Sequence, residues 1–196
     1  MRQFVTASVL VLGLATGFYA KTVANASQPP VVAKFLDLFD RLRAAQEKHQ
    51  PVSFELTENE INEYLRYSLK TTPRPGLDSV TIKVFPKDYI STFTRVDFDA
   101  VEQWRPGTIP TVLKPILKGK KSIWIDFRIH ADKSLMTFEV EKARYDDMAL
   151  PAIFVTKMIQ IVAARQPEKY DTSKPMPIPF GLQRVVTYEH VIRGNN

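Results

Sequence analysis

A chain of 196 residues fits one domain with a sizeable core. It has no cysteine, which excludes disulfides, thiolate metal sites and a lipid anchor carried on a cysteine, so its 44% hydrophobic content must hold the fold by burial alone. The formal charge of +6 tilts it toward anionic surfaces. With no zinc-finger spacing and no aromatic RNA-binding signature, lipid headgroups are favoured over nucleic acid as that surface.

Residues 1–26 read as a secretory signal peptide. Arg2 precedes an apolar or small run from Phe4 to Ala20, and Ala24-Asn25-Ala26 has the small-x-small form of a signal-peptidase site. The competing reading is an uncleaved N-terminal anchor, since Phe4–Ala20 is near the lower limit for a spanning helix. Both place the single domain, residues 27–196, in the periplasm or on the outer face of the cytoplasmic membrane. Loss of Arg2 and Lys21 with the leader leaves it a charge of +4.

"PPVVAKFLDLFDRLRAAQEKHQP" predicts an amphipathic helix, with Phe35, Leu38, Phe39, Leu42 and Ala45 at helical spacing. Val52, Phe54 and Leu56 alternate as a short strand. Thr57 and Glu60 then form a capping box that opens a second helix, whose inner face is Ile61, Tyr64, Leu65, Ser68 and Leu69. From Val80 to Tyr145 the apolar residues alternate: Val80, Ile82 and Val84; Val96, Phe98 and Ala100; Ile123, Ile125, Phe127 and Ile129; Met136, Phe138 and Val140. This pattern predicts a meander of long antiparallel strands with one apolar face. A third helix is expected from Pro151 to Arg165, and "LQRVVTYEHVIRG" is expected to close the fold as a last strand.

Two stretches are more apolar than their setting requires. In the third helix, Ile161, Phe154, Met158, Val162, Val155, Ile159, Ala152 and Ala163 cover an arc of roughly 200° at about 100° per residue. A surface helix typically shows a ~100° stripe. Such a helix is either central core gripped by a curved sheet or a helix with one side on the sheet and another lining an apolar cavity. The second stretch, "WRPGTIPTVLKPILKGKK", is broken by Pro106, Pro110 and Pro115. It interleaves Trp104, Ile109, Val112, Leu113, Ile116 and Leu117 with Lys114, Lys118, Lys120 and Lys121. It reads either as a loop that meets an anionic membrane surface or as a connection packed over the end of the sheet with solvated lysines.

Catalytic signals are absent. The histidines, His49, His130 and His190, have no metal-ligand spacing, and the latter two read as partly exposed strand residues. There is no nucleophile elbow and no phosphate-binding glycine loop. No enzyme activity, cofactor or metal is expected.

The order of elements, the Leu150-Pro151 step into an apolar helix, the later Pro179-Phe180-Gly181-Leu182 step into a strand, and the early Thr57–Glu60 helix together resemble small bacterial cell-envelope relatives of the tubular lipid-binding (TULIP) superfamily. The likeness spans residues 51–192, and the basic loop 104–121 has no counterpart in it. It implies an α+β fold in which a long curved antiparallel sheet wraps an apolar helix, with N-terminal amphipathic helices. It also implies an elongated groove for lipid or another apolar ligand in a carrier or sensor. Ile82, Val84, Val96, Phe98, Ile125, Phe127 and Phe138 would line that groove from the sheet, and Phe154, Met158 and Val162 from the helix. Trp104, Lys114, Lys118, Lys120 and Lys121 would face a membrane surface. The rival reading is a structural or assembly factor with a self-filled core, acting through protein contacts. An enzyme with an unseen site is the third.

Overall fold

The computed structural model describes residues 28–107, 109, 111–164 and 174–196, without the side chains of Val112, Met158 and residues 161–164. The signal-peptide expectation lies outside the described residues, as do Pro110 and the helix end at Arg165.

The chain is α+β; its described residues form nine strands in one large open antiparallel sheet. Helix α1 (Pro30–Lys48) starts with a proline, where the missing N–H costs no hydrogen bond, and buries Val31, Val32, Phe35, Leu38, Phe39, Leu42 and Ala45. Strand β1 (Ser53–Thr57) runs into α2 (Glu58–Thr71) through the capping box: the Thr57 hydroxyl accepts from the Glu60 amide, and the Glu60 carboxylate accepts from the Thr57 amide. Strands β2 (Leu77–Phe85), β3 (Tyr89–Asp97), β4 (Lys120–Asp132) and β5 (Leu135–Tyr145) form the meander, each paired with the next. The β4–β5 hairpin turns on Lys133 and Ser134, both at positive φ, the tight turn whose twist matches that of the flanking strands.

Register fixes what the inner face of the meander carries. Val80, Thr94, Ile123 and Tyr145 stand side by side across the four strands. Ile82, Thr92, Ile125 and Ala143 form the next row, and Val84, Ile90, Phe127 and Val140 the third. A bulge between Asp126 and Phe127 keeps β4 in step with β5. Beyond the β2–β3 turn, β8 (Arg184–Tyr188) meets β4 at Ala131, and β9 (Val191–Asn195) joins β8 to β1. Strands β6 (Met148–Leu150) and β7 (Met176–Pro177) add to β5, and α4 (Ala152–Ala164) follows β6.

The structure departs from the sequence reading at two places. Phe98 and Ala100 do not continue a strand: β3 ends at Asp97, whose carboxylate accepts from the Asp99 and Ala100 amides and opens helix α3 (Phe98–Trp104). An N-cap therefore overrides a short period-two pattern. The closing segment is a hairpin rather than one strand, because the chain reverses at Glu189–His190, with His190 at φ 59°. His190 is accordingly a turn residue.

Candidate functional site

The residues expected to line a groove fall into three groups. Ile82, Val84 and Phe127, each at most 2% exposed, join the main core with the buried faces of α1 and α2. Phe35 of α1 stacks on Tyr64 of α2 at 4.3 Å, and burial pushes the Tyr64 hydroxyl up to about 12. This stretch of the inner face is filled by the protein's own side chains. Val96 and Phe98 belong to a second cluster at one end of the sheet, with Ile109, Leu117 and Tyr145. Ile125 and Phe138 lie between the main core and a third cluster, in which Val155 and Ile159 of α4 pack on Val140 and Ala143.

The third group is incompletely covered. Ile123, Ile125 and Phe138 remain half-buried although they stand on the inner face of the two central strands. Phe154 of α4 is also half-buried, and Ile153 is exposed. The side chains of Met158 and Val162, on the same helix, lie outside the described residues. The sheet strip carries two buried hydroxyls that alternation alone did not single out, Thr92 and Thr94. The Thr92 hydroxyl donates to the Ile125 carbonyl at 3.2 Å, which satisfies its polar group without a ligand.

A second region forms at the sheet end where β3 stops and β4 begins. Glu102 of α3 organises the connection between them. Its carboxylate accepts from the Gly107 and Ile109 amides at 2.9 and 3.2 Å and pairs with Lys114 at 2.7 Å. These contacts, Lys114 foremost, hold the Glu102 carboxyl down at about 2. Lys121 pairs with Asp146 at 2.9 Å, and Asp146 also accepts from the Ser122 amide. Lys120 comes within 3.8 Å of Asp78, while Lys118 has no acidic partner among the described residues. A cleft of about 450 Å³ opens here, lined by Asp99, Pro115, Ile116, Lys118, Gly119, Lys120 and Lys121. Trp104 is exposed at the end of α3, with the Arg105 guanidinium over its ring.

The two regions differ in chemistry. The first offers an apolar surface in which the Thr92 hydroxyl is bonded to the backbone; the second offers ammonium groups beside exposed apolar side chains. Neither carries a nucleophile and base in contact, and among the described residues no three metal-ligating side chains converge. The sequence pattern did not reveal Glu102, Asp78 or Asp146 as lysine partners. Glu102 sits on a helix that the sequence reading did not foresee, and Asp78 and Asp146 come from distant strand ends. Among the described residues, no helix is long and apolar enough to cross a membrane. The chain matches no known family and no curated protein sequence.

Proposed function

We propose that this is an exported cell-envelope protein that binds a lipid acyl chain or another apolar ligand in an elongated groove, as a carrier or sensor. The observation that carries the reading is the incomplete cover of Ile125 and Phe138, between the main core and the α4 cluster. A self-filled core would bury these central side chains most deeply, as it does Phe127. In this reading the sheet wraps α4, while the amphipathic helices α1 and α2 close the part of the inner face over Ile82 and Val84. The acyl chain lies along Ile125, Phe138 and Phe154, with Met158 and Val162 on the same helical arc. A ligand burying about 300 Å² of apolar area there would gain roughly 7 kcal/mol before ordering costs, enough for useful affinity. Relationship to the small envelope TULIP proteins belongs to the same proposal. It is supported by the strand-to-helix step at Leu150-Pro151 and by the turn at Pro179–Gly181 that leads into β8.

Native mass spectrometry and lipid extraction of the purified full-length protein test this. Phospholipid should co-purify, and Ile125→Trp, which fills the seam, should release it while leaving circular dichroism unchanged. A lipid-free wild type that Ile125→Trp does not weaken would instead favour the self-filled assembly factor.

A further inference from the structure

Seven large hydrophobic side chains are exposed among the described residues, and they are not scattered evenly. Trp104, Ile116, Met148 and Ile153 gather around the end of the sheet where β3 and β5 finish and β4 starts. The contacts that bring them there are specific. The Tyr145 hydroxyl donates to the Ile116 carbonyl at 2.7 Å, and Met148 stands opposite Tyr145 in the β5–β6 ladder. The Phe98 amide donates to the Gly119 carbonyl, which brings α3 and its Trp104 onto the same end. Ile153 follows β6 in the first turn of α4. Leu135 and Tyr188, by contrast, lie toward the opposite end, beside the Lys133–Ser134 and Glu189–His190 turns.

The connection into β4 is basic; Glu102, Asp78 and Asp146 stand beside its lysines, and Asp99 lines the cleft with them. From Trp104 to Lys121 the chain has five cations and no acidic residue. Lys114 and Lys121 are neutralised by Glu102 and Asp146, whereas Lys118 and Lys120 line the cleft with their ammonium groups available or loosely paired. An exposed tryptophan and aliphatic tips beside such lysines have the composition of a surface that sits at a lipid headgroup boundary. A protein interface is depleted in lysine at its core, whereas here Lys118 and Lys120 stand beside the exposed Ile116.

We infer that this end of the sheet docks on an anionic phospholipid bilayer: Trp104, Ile116 and Met148 enter the headgroup–acyl boundary, and Lys118 and Lys120 meet lipid phosphates in the cleft. The docking uses none of the residues assigned to the proposed groove along α4. It would hold one mouth of the fold against the membrane surface.

The chain has only two tryptophans, so fluorescence reads the docking directly. In a Trp124→Phe variant of the full-length protein, Trp104 is the sole reporter. Vesicles of phosphatidylglycerol and acyl-brominated phosphatidylcholine should quench it, and purely zwitterionic brominated vesicles should quench it much less. Lys118→Gln and Lys120→Gln, each removing one positive charge, should each weaken vesicle affinity about fivefold at low salt, and Ile116→Asp should abolish quenching. Because the N-terminal 27 residues are the same in every variant, their own lipid affinity cancels from the comparison. Trp104 that stays accessible to aqueous acrylamide on anionic vesicles would overturn the docking surface. Equal quenching on zwitterionic and anionic vesicles would overturn the role given to the lysines.

Discussion

Asn62 of α2 hydrogen-bonds to both backbone groups of Ile82: its amide nitrogen donates to the Ile82 carbonyl at 2.8 Å, and its oxygen accepts from the Ile82 amide at 2.8 Å. β2 is an edge strand, with β3 on one side only, so these groups would otherwise be open to another chain. The side-chain amide reproduces the pairing a neighbouring strand would supply. Two residues along, the Val84 amide donates to Glu58 and the Val84 carbonyl accepts from the His190 amide. Asn62→Ala should therefore strand a buried donor and acceptor together and cost about 2–4 kcal/mol. Urea unfolding measures the loss, and light scattering near the midpoint should show added self-association through β2. A variant as stable as wild type would mean that water replaces the amide.

A pH dependence follows from the neighbouring pair. His190 Nδ1 lies 3.0 Å from Glu58 Oε2, and that hydrogen bond raises the imidazole above its ordinary 6.5, against a smaller desolvation effect. A raised folded-state value means the contribution is complete below the unfolded value near 6.5. It fades as pH climbs through the higher folded value. The melting temperature of wild type should thus exceed that of His190→Gln most at about pH 5.5–6, and the gap should close toward pH 9. A gap independent of pH would assign the effect to the turn itself, where residue 190 holds a positive φ.

How much of this was legible in the sequence depends on range. The Thr57–Glu60 capping box spans three residues, and its signal is complete within them. The alternation in β2, β4 and β5 is likewise local, because burial on one face of a strand repeats every second residue. Phe98 was misread since Val96, Phe98 and Ala100 satisfy period two just as well as a helix opened by Asp97 does. The closing hairpin escaped notice because His190 turns the chain where glycine or asparagine would have announced it. The candidate lining set was visible as a face, but how far that face is covered was not. The helical spacing of Phe35, Phe39 and Tyr64 was legible, but the meeting of Phe35 and Phe39 with Tyr64 across two helices leaves no periodic trace.

Gly76 gives a prediction about how α3 is seated. It has φ 86°, and a Cβ there would come within 2.4 Å of the Val101 side chain and 2.6 Å of the Asp97 carbonyl. Its own carbonyl accepts from the Asp97 amide at 2.7 Å, which ties the start of β2 to the end of β3. Gly76→Ala meets both a conformational penalty and a backbone clash, and should cost at least about 2 kcal/mol. Thermal denaturation checks the size. A near-neutral result would show that α3 shifts freely, which would also loosen Trp104.

The Glu102 latch yields a prediction for the basic connection. With its carboxyl held at about 2, Glu102 stays ionised where an ordinary glutamate near 4.5 has begun to take up a proton. A lowered folded-state value means the contribution is present above the unfolded value and disappears only as pH falls through the lowered one. At pH 3 the Gly107 and Ile109 amides should therefore still be protected in wild type, since the carboxylate continues to accept from both. Glu102→Gln keeps the size of the side chain and removes the charge that Lys114 and the two amides share. Hydrogen exchange at pH 3 should show those amides protected in wild type and open in the variant, and trypsin at neutral pH should cut the variant faster at Lys118, since the Lys114–Pro115 bond resists trypsin in both. The rest of the sheet should exchange alike in both proteins, because the β3–β4 ladder does not pass through Glu102. Equal protection of Gly107 and Ile109 in the two would show that the apolar contacts of Ile109 and Leu117 with Phe98 and Tyr145 hold the connection without the latch.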